Sequence, residues 1–188
     1  MAGRPRSDEA HSAILNAAIA LIREIGYDAV TIEGIALRAG VGKTTIYRRW
    51  PSRELLVTEA ISGIVRRMPA PDTGSVESDV LALMRFTTGM YRDPGSSALL
   101  SGLVAAMARS TVIADAVRNG FVGQWRTEMR VVLKRARKRG DLRANADVEL
   151  ALDLLSGPLF YRFLLIGKPI DERFTRQVVA SVLRALAP

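Results

Sequence analysis

Six polar side chains crowd positions 43 to 49 of this 188-residue chain: Lys43, Thr44, Thr45, Tyr47, Arg48 and Arg49. Ammonium and guanidinium groups bind phosphate. Hydroxyls donate to phosphate oxygens and base edges, and a guanidinium can grip guanine with two hydrogen bonds. That chemistry recognises nucleic acid and breaks no bonds. Other chemistry finds little support. There is no Cys and a single His, His11. This excludes thiolate nucleophiles, disulfides, cysteine-based metal sites and any multi-histidine centre. No Ser–Asp pattern accompanies His11, which reads as a surface residue on an early helical turn. Asp171-Glu172 reads as a helix start rather than a catalytic pair. No catalytic residue, metal ligand or cofactor is expected.

The polar cluster needs a scaffold, and the flanking pattern supplies one. Ile14, Ala18, Leu21, Ile22 and Ile25 recur at helical spacing, with Ser7 as the expected N-cap and Gly26 as the stop. Thr31 caps a short second helix that reaches about residue 39. Ala39-Gly40-Val41-Gly42 is a tight turn. The third helix, over 43–50, ends before Pro51, because Pro disfavours the α region at the residue preceding it. Two short helices crossing over a turn of small residues have the dimensions of a helix-turn-helix. Its second helix fits a major groove about 12 Å wide. Ile32, Ile35, Ala36, Val41 and Ile46 then form the shared core, and the polar cluster faces out.

Ser52 caps a fourth helix that reaches about residue 67. Positions 68–75 hold two Pro and a Gly and form the clearest break in the chain. Helices follow over 76–91, 96–109, 111–139, 147–167 and 171–186. The total is about nine helices in an all-α fold, with no repeat and no period-two run. The most apolar window, 148–167, carries Glu149, Asp153, Arg162 and Pro158, so it is expected to be a core helix rather than a membrane span. The polar first ten residues lack a signal-peptide core, and a soluble cytoplasmic protein is expected.

The run Thr31-Ile-Glu-Gly-Ile-Ala-Leu-Arg-Ala-Gly-Val-Gly-Lys-Thr-Thr-Ile-Tyr-Arg-Arg-Trp50, followed by Pro-Ser-Arg-Glu-Leu-Leu56, resembles the N-terminal DNA-binding domain of tetracycline-repressor (TetR) family regulators. The likeness extends over about Arg4 to Ala60. Arg139-Gly-Asp-Leu-Arg143 and Leu155-Ser-Gly-Pro-Leu-Phe-Tyr161 are similar to one subgroup of the family's ligand domains. The resemblance implies a three-helix helix-turn-helix DNA-binding domain at 1–51 and a connecting helix at 52–68. A helical ligand-binding and dimerisation domain would follow at 69–188. It implies phosphate contacts from Thr31 and Tyr47, and groove-facing roles for Lys43, Thr44, Thr45 and Arg48. Arg53 sits where the family usually has a lysine that touches the DNA backbone. Arg4 and Arg6 resemble a basic arm that enters the minor groove. Gly42 stands where many members have Ser, so no side-chain role carries over there. Simpler readings stay open: Thr31 as an N-cap only, Tyr47 as a core aromatic, Arg48 and Arg49 as a solvated face.

In the C-terminal half, Met84, Phe86, Met90, Tyr91, Met107, Phe121, Trp125 and Met129 lie at helical spacing, which by itself means core. The resemblance implies a pocket for an apolar ligand, lined by Phe86, Met90, Met107, Phe121, Trp125 and Met129. The penultimate helix has two apolar stripes: Val148, Leu152, Leu155, Leu159, Phe163 and Ile166, and Leu150, Leu154, Tyr161 and Leu165. One must face inward and the other against something else. The expected dimer interface takes Leu152, Leu155, Leu159 and Phe163 with Phe174, Val178 and Val182 of the last helix, as a four-helix bundle between two copies. A wholly intramolecular core is the rival.

The function implied is a homodimeric repressor of a near-palindromic operator in double-stranded DNA, relieved by a small apolar effector. An architectural DNA-binding protein without an effector is the alternative. The net charge of +8 does not carry this reading. Residues 1–62 hold eight basic and seven acidic residues, a net of +1, whereas 126–143 hold eight and two, a net of +6. The excess therefore sits on one helix of the C-terminal half, as a solvated face or as a site for an anionic partner. The DNA expectation rests on residues 31 to 53.

Overall fold

The computed structural model describes residues 5–27, 29–65 and 70–188, and all regular structure among them is helical. In chain order the helices are α1 (Pro5–Ile25), α2 (Ile32–Ala39), α3 (Lys43–Tyr47), α4 (Arg53–Val65), α5 (Val76–Arg92), α6 (Pro94–Met107), α7 (Thr111–Val117), α8 (Gly123–Arg139), α9 (Val148–Tyr161) and α10 (Glu172–Leu186). A π turn over Arg118–Val122 joins α7 to α8, and a second, Arg162–Ile166, extends α9. With α7, its π turn and α8 taken as one rod, nine rods are present among the described residues. Two compact units divide them. The first contains α1 to α4 with α6, α7 and the first π turn, and the second contains α5, most of α8, α9 and α10.

In the first unit α1 begins at Pro5. Ser7 is therefore inside the helix and is not its cap. Pro suits a first helical position, because it lacks only an N–H that would have no partner and its φ is preset. Ile14, Ala18 and Ile22 of α1 are buried with Ile35, Ile46, Leu56 and Val57, while Ile25, at the helix end, is 53% exposed. The regular helix expected over 111–139 is instead opened by the π turn. Gly120 lies in that turn, where a Cβ would overlap the Ser62 hydroxyl of α4. The Ser62 hydroxyl in turn donates to the Thr58 carbonyl at 2.8 Å. A π turn shifts the helix register by one residue, which presents a side-chain-free position to a close neighbour.

In the second unit Ser75 caps α5 by accepting from the Ser78 N–H. Buried Asp79 accepts from the Thr73 N–H at 2.9 Å and the Thr73 hydroxyl at 2.7 Å, which folds the break back on α5. Leu83 and Met84 of α5, Met129 and Leu133 of α8, Leu152, Leu155 and Leu159 of α9, and Val179 of α10 are the interior. Asp147 caps α9 and Asp171 caps α10.

Candidate nucleic-acid interface

Thr31 starts the motif. Its backbone is extended, and its Oγ1 accepts from the Gly34 N–H at 3.0 Å. This satisfies one of the amides that a helix N-terminus leaves free. The same hydroxyl keeps its proton to donate, so capping and phosphate contact are compatible. α2 ends at Gly40 with φ 67°, and the next N–H, of Val41, donates to the Ala36 carbonyl at 3.0 Å. A left-handed residue with that bond reverses the chain over a helix end, and only glycine takes the conformation without strain. Ile32, Ile35, Ala36, Ile46 and Trp50 are buried behind the motif. Val41, expected among them, is half-buried. Gly42 is the N-cap of α3 and offers no side-chain bond.

α3 is regular over five residues. Arg48 and Arg49 continue as a turn, with N–H bonds to Thr44 at 3.1 Å and Ile46 at 2.9 Å. Trp50 and Pro51 then stop it, so the recognition element is shorter than the 43–50 expected. Lys43, Thr44, Arg48 and Arg49 are exposed, Thr45 is half-buried and Tyr47 is 50% exposed. The phenol of Tyr47 is thus not a core aromatic.

The cations of this unit are partly engaged. Lys43 Nζ lies 2.9 Å from Glu33 Oε1 of α2. Their hydrogen bond holds the Glu33 carboxyl below its ordinary pKa and the Lys43 ammonium above its own. Arg38 grips Glu24 of α1 with two bonds, of 2.5 and 2.7 Å. The Arg53 guanidinium donates to the carbonyls of Val30 at 3.0 Å and Tyr27 at 3.3 Å and lies 4.5 Å from the centroid of the Tyr27 ring. It ties the start of α4 to the chain between α1 and α2. His11 is not a free surface residue. Its Nε2 is 3.2 Å from Glu59 Oε1, and its ring stacks on Trp50 at 5.2 Å. Glu59 Oε2 accepts from Trp50 Nε1 at 2.7 Å. This trio joins α1, the end of the motif and α4. Arg4 lies outside the described residues, and so does the side chain of Arg6.

Residues 14–60 match the profile described as bacterial regulatory proteins, tetR family. Residues 70–182 match the tetracyclin repressor-like C-terminal domain. The chain belongs to the TetR family. It is a DNA-binding transcriptional regulator of the helix-turn-helix type, and α2, the Gly40 turn and α3 form that motif. Similar proteins include the uncharacterised HTH-type transcriptional regulator YdeS of Bacillus subtilis, 34% identical over 98% of this chain and 93% of that protein. The DNA-binding transcriptional repressor TetR of Mycobacteroides abscessus is 29% identical over 96% and 95%. The crystal structure of the TetR family transcription regulator SCO0332 superposes with a TM-score of 0.84 at 34% identity, covering 96% of this chain and all of that one.

In this TetR-family chain the expected pocket residues fall in both units. Met107 and Phe121 belong to the first, and Phe86, Met90, Trp125 and Met129 to the second. Met129 is wholly buried, and Trp125 nearly so, with an indole Nε1 that is buried and has no hydrogen-bond partner. The expected dimer stripe needs correction. Leu152, Leu155 and Leu159 have no exposed surface, because they face the interior of their own unit. The outward stripe of α9 is the other one: Leu150, Leu154, Tyr161 and Leu165, the last 75% exposed. Phe174, Val178 and Val182 of α10 line an apolar groove with Leu154 and Pro158. Phe163 packs on Tyr91, ring centroids 5.0 Å apart.

Four of the eight cations of the basic stretch are engaged within the second unit. Arg126 and Arg130 share Glu149, at 2.9 and 2.6 Å, and Arg126 also binds Asp153. Arg135 donates to the Pro71 carbonyl at 3.3 Å, and Arg139 pairs with Asp141 at 2.8 Å. These residues fasten α8 to its neighbours, while Lys134, Arg137 and Lys138 are exposed. Among the described residues no helix is long and apolar enough to cross a membrane, and no three His, Asp or Glu side chains gather as a metal site.

Proposed function

We propose that the chain is a homodimeric repressor of a near-palindromic operator, released by a small apolar ligand and working in the cytoplasm. The observation that carries the DNA part is one short helix with Ile46 fully buried on one side and Lys43, Thr44 and Arg48 exposed on the other. In this reading Thr31 and Tyr47 meet phosphates, and Lys43, Thr44, Thr45 and Arg48 enter the major groove, with Arg4 and Arg6 as a minor-groove arm. Arg53 positions α4 and contacts DNA secondarily. Residues 1–51 are the DNA-binding domain, 52–68 the connecting helix, and 69–188 the ligand-binding and dimerisation domain. A repressor of similar sequence spans nearly the same length.

The dimer uses the outward stripe of α9 and the groove beside α10. A two-fold axis lays each apolar surface on its copy and places two recognition helices about one DNA turn apart, or slightly more. The ligand binds within the second unit near Phe86, Met90, Trp125 and Met129. The unpaired Trp125 indole N–H calls for one acceptor on an otherwise apolar molecule. Such a ligand releases DNA only by binding the free geometry more tightly than the DNA-bound one. The test compares affinity for the region upstream of the protein's own gene with that for a random duplex at physiological salt. Specific binding is expected to be at least about 10³-fold tighter. Equal affinities would overturn the reading and favour an architectural protein.

A further inference from the structure

Glu33 and Lys43 link the two helices of the motif. Glu33 stands in the first turn of α2, and Lys43 is the first residue of α3. A cation at a helix N-terminus opposes the helix dipole, and a carboxylate 2.9 Å away offsets it. The ammonium has three N–H donors, and Glu33 occupies one of them. We propose that Glu33 is a specificity-determining residue: it neutralises the Lys43 charge that any phosphate would attract and leaves two N–H donors to read base acceptors. The proposal rests on the placement of Lys43 in the groove.

The argument separates two kinds of attraction. Binding to arbitrary DNA is almost wholly charge-driven, through release of counterions from phosphates. Base reading depends on donors aimed at acceptors such as guanine O6 and N7. A neutralised but hydrogen-bonding lysine weakens the first and keeps the second. The pair also fixes a flexible side chain against α2, so less rotamer freedom is lost when it meets a base. The same device recurs nearby, where Glu24 engages Arg38. Eight basic and seven acidic residues over 1–62 leave this segment a net charge of only +1, which gives it little charge-driven attraction to arbitrary DNA.

The test uses the full chain, a random duplex and the duplex that the wild-type protein enriches from a random pool, each titrated over a salt series. Both side chains are more than half exposed, so substitution leaves the core intact. Glu33→Gln is expected to bind the random duplex about two- to five-fold tighter, the worth of an exposed pair. Its salt slope there should steepen by about 0.9. The gain on the enriched duplex should be smaller, so the specificity ratio falls. Adding Glu33→Gln to Lys43→Gln should give no gain. Unchanged random-duplex binding in Glu33→Gln, an equal gain on both duplexes, or a gain that persists without Lys43 would each overturn the proposal. If Lys43→Gln binds the enriched duplex as the wild type does, the placement of Lys43 fails and takes this inference with it. If Lys43→Gln weakens binding while Glu33→Gln changes nothing, only the role of Glu33 fails.

Discussion

Thr31 caps α2, and on the proposed reading its hydroxyl also meets a phosphate; the two tasks can be separated. Thr31→Ala removes the bond to the Gly34 N–H and should cost about 1 kcal/mol of stability. Thr31→Asp keeps the cap but sets a negative charge against a phosphate. Thermal unfolding should therefore find Thr31→Asp as stable as the wild type, while DNA titration finds both variants weakened. If Thr31→Asp binds DNA normally, Thr31 is a cap alone. Residue types were legible in the sequence: hydroxyls and cations after a Gly-Val-Gly turn mark the face of α3. Which cations are engaged was not legible. Arg38 and Lys43 find their carboxylates fourteen and ten residues away on other helices, and such pairs depend on how helices cross. The bonds of Arg53 to the Tyr27 and Val30 carbonyls were not legible for the same reason, since those groups come near only after folding.

At the scale of elements, the π turn before α8 and the ion pairs along it are the informative features. Gly120→Ala should destabilise by about 1–3 kcal/mol through overpacking against the Ser62 hydroxyl. Adding Ser62→Ala, which removes the colliding atom, should recover most of it in urea unfolding. An additive double variant would contradict the close approach. Glu149 is held by Arg130 first and Arg126 second, which brings its pKa from 4.5 down to about 2. A carboxyl with a lowered native pKa stabilises above its unfolded pKa, and the contribution is lost as pH falls from about 4.5 towards 2. Glu149→Gln should therefore lose less stability than the wild type across that interval, as measured by thermal unfolding at successive pH values. Identical acid sensitivity would contradict the pairing. Helix positions and caps were readable from Thr31, Ser75, Asp147 and Asp171. The π turn was not, because the close approach of α4 to Gly120 arises only on folding.

At the scale of the whole molecule, the proposed dimer turns on which of the two stripes of α9 faces out. Both have helical period and comparable apolarity, so the sequence could show that one faces out without showing which. Burial of Leu152, Leu155 and Leu159 settles it. Leu154→Glu with Leu165→Glu should give a folded monomer by sedimentation. Leu155→Ala should instead cost about 2–5 kcal/mol of stability while leaving the assembly dimeric. A double glutamate variant that remains a dimer would move the interface elsewhere. The charge balance belongs to this scale too. Within the basic stretch 126–143, Arg126, Arg130, Arg135 and Arg139 fasten α8 in the second unit, while the segment 1–62 carries a net of only +1.

The most direct test of sequence-specific binding through α3 is selection of bound duplexes from a random pool by the full chain at physiological salt. Enrichment of an inverted repeat is predicted, with half-site centres about 34 Å or slightly more apart, and it should be lost when Thr44 and Arg48 are both changed to Ala. Enrichment of no sequence, or of a single asymmetric site bound by one chain, would contradict the account.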